Sequence, residues 1–157
     1  MRFHHVVAIV AGLSTVASLV PPAAAQMAGT DQKFNTCKLA TSAEVSALLG
    51  VKADSGTFVH PATGSQCNFR SPSSQYYSVN IQLVNPQFVD DLSQAPNNGS
   101  IKGIGDEAFW SGWGKSGSLY TRKGNRALRI GIGLPTAVGN TPPPGFEKFA
   151  KAVVRRL

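Results

Sequence analysis

Gly103–Leu134 reads GIGDEAFWSGWGKSGSLYTRKGNRALRIGIGL. Aromatic and β-branched residues alternate there with small and charged ones, as they do in pleated, half-buried strands. The stretch is read as three antiparallel strands, Glu107–Trp113, Ser118–Lys123 and Arg126–Leu134, joined by two hairpins. Gly124-Asn125 suits a two-residue turn because both residue types tolerate positive φ. That turn pairs Arg122 with Ala127 and Tyr120 with Arg129. Leu128, Ile130, Ile132 and Leu134 then share the inner face, and Tyr120, Arg122 and Arg129 the outer one. The other turn is read as a four-residue loop, Gly114–Gly117, which sets Phe109, Ser111 and Trp113 on the outer face. A one-residue bulge would place Trp110 there instead.

Strand patterns continue upstream. Tyr77, Val79, Ile81 and Leu83 alternate with polar neighbours, Gln66–Arg70 carries Cys67 and Phe69, and Val51–Val59 holds a third, interrupted segment. Thr41-x-x-Glu44 is a capping box, followed by Val45, Leu48 and Leu49 at helical spacing and by Gly50 as a stop. Phe88, Val89 and Leu92 suggest a short helix after Asn85-Pro86. Beyond Pro142–Gly145, the residues Phe146, Phe149, Ala150, Val153, Val154 and Leu157 form the apolar stripe of a closing helix, Phe146–Arg156. The expected architecture is α+β, with one antiparallel sheet of five or six strands and two main helices on one face.

Residues 1–25 read as an export leader. Arg2 precedes the apolar run Val6–Val20, too short for a membrane span, and Ala23-x-Ala25 offers a cleavage site before Gln26. The remainder, 26–157, is read as one domain with a loose arm over 26–36 and no membrane-spanning segment. The expected location is periplasmic or extracellular. Cys37 and Cys67 are the two cysteines of the chain, and an even count in an oxidising compartment reads as one disulfide. Fifteen Lys and Arg stand against eight Asp and Glu. Such a surface attracts anionic partners, among them envelope polymers and acidic proteins.

Catalytic templates find little to build on. His60 is the one histidine downstream of the leader, and no Gly-x-Ser-x-Gly occurs. Asp90-Asp91 and Asp106-Glu107 are adjacent pairs, which point to opposite faces when extended. Asp106 reads as a turn residue that holds the backbone ahead of the strand. Gly114-Lys115-Ser116 resembles the end of a phosphate loop, but Phe109 stands where that motif needs glycine and a strand follows it, so no nucleotide is expected. No metal or other cofactor is implied. The aromatic and basic outer face remains, with Trp113, Tyr120, Arg122 and Arg129 as candidate binding residues; a cation–π pair of Tyr120 over Arg129 is its purely structural explanation.

Cys37 before Thr41–Gly50 (TSAEVSALLG), then GSQCNF at Gly64–Phe69, GIGDEAFW at Gly103–Trp110 and LYTRKG at Leu119–Gly124 form a recurring set. It resembles a family of small exported domains of unknown function, known mainly as actinobacterial cell-envelope lipoproteins. The resemblance implies an extracytoplasmic α+β domain with a disulfide and brings no catalytic residues. This chain lacks the lipid-attachment cysteine of those lipoproteins. Three functions are therefore in view: a non-enzymatic binding domain, a small envelope-polymer hydrolase, and an inhibitor or stabiliser of another exported protein.

Overall fold

A computed structural model describes residues 34–60, 64–94 and 99–157. The leader reading of 1–25 and most of the arm lie outside these residues. A 3₁₀ turn, Thr36–Leu39, precedes helix α1, Ser42–Leu49. Strands β1, Thr57–Val59, β2, Gln66–Ser71, and β3, Ser74–Val84, follow. Helix α2, Pro86–Ser93, leads to β4, Gly99–Ser100. Strands β5, Glu107–Trp113, β6, Ser116–Lys123, and β7, Arg126–Gly133, precede helix α3, Phe146–Arg155.

All strands pair antiparallel in one sheet of order β1-β2-β3-β7-β6-β5-β4. The count is seven rather than five or six. The difference lies in β4, two residues long, where the sequence reads as a loop. The β6–β7 register is the expected one, with Arg122 opposite Ala127 and Tyr120 opposite Arg129. The β5–β6 loop is shorter than expected. Trp113 pairs directly with Ser116, leaving two turn residues, Gly114 and Lys115. The shift is an even number of residues, so every side chain keeps its face. Both hairpins turn on a glycine with positive φ, Gly114 at 58° and Gly124 at 60°, with no positive φ at Lys115 or Asn125. That is the pattern of type II′ turns, whose twist matches the strands.

The inner face carries Phe69, Val79, Ile81, Leu119, Leu128 and Ile130, all buried, beneath α1 and α3. Trp110 lies on the same face in β5, toward the β4 edge of the sheet. The indole lies where a side chain at Gly117 would stand, since a Cβ there would collide with the six-membered ring, while a Cβ at Gly112 would meet Gly139 O, the acceptor of the indole N–H. Its Nε1 donates to Gly139 O at 3.1 Å, and its ring meets Phe146 of α3 edge-on at 5.0 Å. Two glycines flanking one tryptophan thus seat the closing helix against the sheet.

The opposite face is not bare. Helix α2 crosses it over β5, β6 and β7, enclosing Val89 and Ala127 completely. The two main helices, α1 and α3, cover one face as expected, and the short α2 covers part of the other. Asn85 caps α2 by accepting from Gln87 N at 3.0 Å, and Pro86 starts it with the φ a first helical turn requires.

The Cys37–Cys67 disulfide is present, with Cα atoms 5.0 Å apart. It ties the 3₁₀ turn to β2, beside the buried pair Thr36 Oγ1 and Ser65 Oγ at 3.1 Å. The capping box of α1 also forms, and Arg156 extends it. Arg156 NH2 donates to Glu44 Oε1 at 2.6 Å and NH1 to Oε2 at 2.9 Å. Thr41 N donates to Oε2 at 2.9 Å. These bonds, Arg156 first, lower the Glu44 carboxyl from 4.5 to about 2 against the opposing effect of desolvation.

Two outcomes follow for stability. Replacing both cysteines by alanine releases a cross-link spanning 30 positions and should cost about 3–4 kcal/mol, read from urea unfolding. Glu44 stays ionised in the folded chain below the pH at which the unfolded chain protonates it. Its contribution is complete above pH 4.5 and vanishes as pH falls toward 2. The pair is a third or more exposed, so solvent screening limits it to about 1 kcal/mol. E44Q should be less stable than the parent by that amount at pH 7 and equal to it near pH 2.

Candidate outer-face binding site

The strand pairings place outward side chains in rows across the sheet. One row runs Asn68, Asn80, Gly131, Ser118, Ser111 from β2 to β5. The next runs Arg70, Ser78, Gly133, Ser116, Trp113. Four strand spacings of about 4.8 Å make each row about 19 Å long. The first is low in the middle, because β7 contributes only Gly131 to it; in the second, Ser78 Oγ and Tyr76 O fill the space beside Gly133. On one side the trough is bounded by Gln82, Arg129 and Tyr120, and beyond these by α2.

Helix α2 divides the four candidate residues. Tyr120 is half-buried, its ring 5.5 Å from that of Phe88. It does not stack on Arg129; the cation–π pairs of the described residues are Lys115 over Tyr76 and Arg126 over Phe34. Arg122 is held by Glu107, with Nε donating to Oε1 at 2.6 Å, and Asp90 of α2 lies 3.8 Å from the same nitrogen. Glu107, then Asp90, favour the charged guanidinium still further. Tyr120 and Arg122 therefore anchor α2 to the sheet rather than facing solvent together with Trp113.

Trp113 and Arg129 belong to the open half. Trp113 is 89% exposed at the end of its row. Arg129 Nε donates to Ser118 Oγ at 3.1 Å, and its two terminal nitrogens have no partner among the described residues. The sequence reading missed five companions: Tyr76, Lys115, Arg70, Asn68 and Asn80. Tyr76 is 51% exposed, with Lys115 Nζ 4.9 Å above its ring. Arg70 is exposed at the far end of the Trp113 row. Asn68 Oδ1 accepts from Gln66 Nε2 at 2.7 Å and from Asn80 Nδ2 at 2.5 Å, while Asn80 Oδ1 is enclosed with no donor among the described residues. The polar half of the β2 and β3 alternation was visible in sequence; their adjacency to β7 was not.

The rest of the surface offers less. His60 sits edge-on to Phe58 at 4.4 Å and makes no hydrogen bond to an acid or hydroxyl among the described residues. No three His, Cys, Asp or Glu gather among those residues. A cleft of about 240 Å³ lies between Gly103–Asp106 and the end of α3. Two of its polar groups hold backbone: Lys123 Nζ donates to Val154 O at 3.1 Å, and Asp106 Oδ2 accepts from Gly124 N at 2.7 Å, so Asp106 holds the β6–β7 turn rather than the backbone ahead of its own strand.

The glycines distinguish floor from seat. A Cβ at Gly131 would lie 3.5 Å from Ser118 Oγ and 3.7 Å from Asn80 Cβ, ordinary contact distances. G131A should keep the fold and raise stability by about 0.5–1 kcal/mol, the usual cost of glycine inside a strand. G117A drives a methyl into the Trp110 ring and should lose on the order of 1–3 kcal/mol by overpacking. Thermal unfolding of the two variants checks both.

No family model matches the chain, and neither does any curated protein or solved structure.

Proposed function

We propose that the chain is a non-enzymatic binding domain that works outside the cytoplasm, with the open half of its outer sheet face as the binding surface. The observation that carries this reading is Trp113, 89% exposed beside a trough floored by glycine, serine and amide side chains. A tryptophan so placed leaves about 2–3 kcal/mol of burial unrealised, available to whatever covers it. The exported setting is supported by the leader-like residues 1–25, by the Cys37–Cys67 cross-link, and by the resemblance to exported envelope domains. No described helix is long and apolar enough to cross a membrane.

The hydrolase alternative draws no support from the site. Glu107 is the one carboxylate at an outward strand position of the described residues, and Arg122 holds it. A general acid needs a free proton poised within hydrogen-bond reach of substrate, and a paired carboxylate at the covered end of the sheet does not offer one.

The test is co-sedimentation of the disulfide-bonded protein with insoluble bacterial envelope polymer. W113A should lower retention at least tenfold while leaving the unfolding midpoint within about 1 °C, since an exposed residue holds little of the fold. The polymer should be recovered with no new reducing ends or free amines. Unchanged retention of W113A would remove this face from the ligand's path, and released fragments would restore the hydrolase reading.

A further inference from the structure

We infer that the ligand of this trough is an anionic glycan, an extended chain of sugar rings bearing carboxylates, lying across the strands. The inference rests on the binding reading above and names its substrate class. Three features of the open half carry it together.

The first is charge. Arg70, Lys115 and Arg129 border the trough, none in an ion pair with an acid among the described residues. No Asp or Glu occupies an outward strand position in this half; Glu107 lies beyond Tyr120, in the row that Arg122 closes. Cations without counter-charges on one surface attract an anion and hold it more firmly than scattered pairs would. The planar fork of Arg129, with both terminal nitrogens unpartnered, matches a carboxylate in two parallel bonds.

The second is the floor. Asn68, Asn80, Ser78, Ser118 and Ser111 supply amides and hydroxyls, with no aliphatic side chain between them. A protein partner calls for an apolar centre and a polar rim; here the centre is polar and the apolar groups stand at the margin. Hydroxyl-rich sugars suit such a surface, donating and accepting along their whole length. Asn80 Oδ1 adds an acceptor beneath the floor that lacks a donor among the described residues.

The third is the placement of aromatics. Trp113 ends one row, and Tyr76 lies beside its middle, where Tyr76 O approaches Gly133. Flat rings at the margin of a polar trough offer the C–H faces of sugars an apolar surface, while the ring edges stay wet. The floor is lowest at Gly131, where a sugar ring can come down toward the backbone; at Gly133, Ser78 Oγ and Tyr76 O already fill the space a side chain would take.

The probe is polygalacturonate, with its carboxyl-reduced counterpart and poly-L-glutamate as comparisons, titrated against the folded protein and followed by tryptophan fluorescence. Polygalacturonate should bind, and W113F, followed by calorimetry because it removes the exposed reporter, should weaken binding at least tenfold. R129Q should weaken binding at least tenfold at 50 mM salt and flatten its salt dependence, with an unfolding midpoint unchanged. G131A, which keeps the fold but raises the floor, should weaken binding as well. Equal binding of the carboxyl-reduced polymer would overturn the anionic part of the inference. Equal binding of poly-L-glutamate, insensitive to W113F and G131A, would overturn the glycan part and leave charge alone. Binding of none of the three would overturn the whole inference. The co-sedimentation of W113A with envelope polymer then says separately whether the binding reading stands.

Discussion

The seat of Trp110 is the constraint on which the rest of this structure depends. A large ring can lie flat on a sheet only if the strands beneath it carry no side chains there. Gly112 and Gly117 provide that, on adjacent strands, and Gly139 O fixes the indole by its one donor. The ring then presents an edge to Phe146 and so sets where α3 docks. Once α3 is docked, its C-terminal turn receives Lys123 from β6 and lends Arg156 to α1. One aromatic side chain therefore positions both inner helices relative to the sheet, through contacts that change sharply if a single methyl is added.

That arrangement leaves the outer face to be finished differently at its two ends. Toward Glu107 and Arg122 the chain itself returns as α2 and encloses Val89 and Ala127. Toward Trp113 none of the described residues returns over the sheet, and the surface there is polar and cationic. The division is chemical as well as geometric. The ion pairs with acids lie under the helix, while the cations of the open half have no acid partner among the described residues. Burial of apolar area accounts for the covered end, whereas the open cations add nothing evident to folding.

Local features of this division were legible in the sequence. The Gly124-Asn125 turn determines the partners of Tyr120 and Arg122, because a two-residue hairpin admits one register. The Thr41 and Glu44 box, the stripe of α3 and the cysteine pair could be read for the same reason: each is a relation within a few residues or between the only two groups of their kind. The position of α2 was not legible. Its apolar residues specify a helix with one buried side, and either face of a sheet satisfies that equally. Arg122 was consequently read as a free cation when it is the ion pair that holds α2. Nor does any local signal place β7 between β3 and β6, the adjacency that brings Asn80 and Arg129 to one surface.

That same adjacency governs how the sheet can be assembled. The strand at its centre is the last one in the sequence. Until Arg126–Gly133 is available, β1 to β3 and β4 to β6 are two separate ribbons, and both β3 and β6 present an unpaired edge. Inserting one strand satisfies both edges at once and places Leu128 and Ile130 in the middle of the core. The closing contacts join residues distant in sequence, which makes this step slow relative to hairpin formation. During that interval the open edges are the chain's main exposure to aggregation. Folding of this domain is thus a nearly all-or-none event that waits for its C-terminal third, a kinetic property set by strand order rather than by any one interaction.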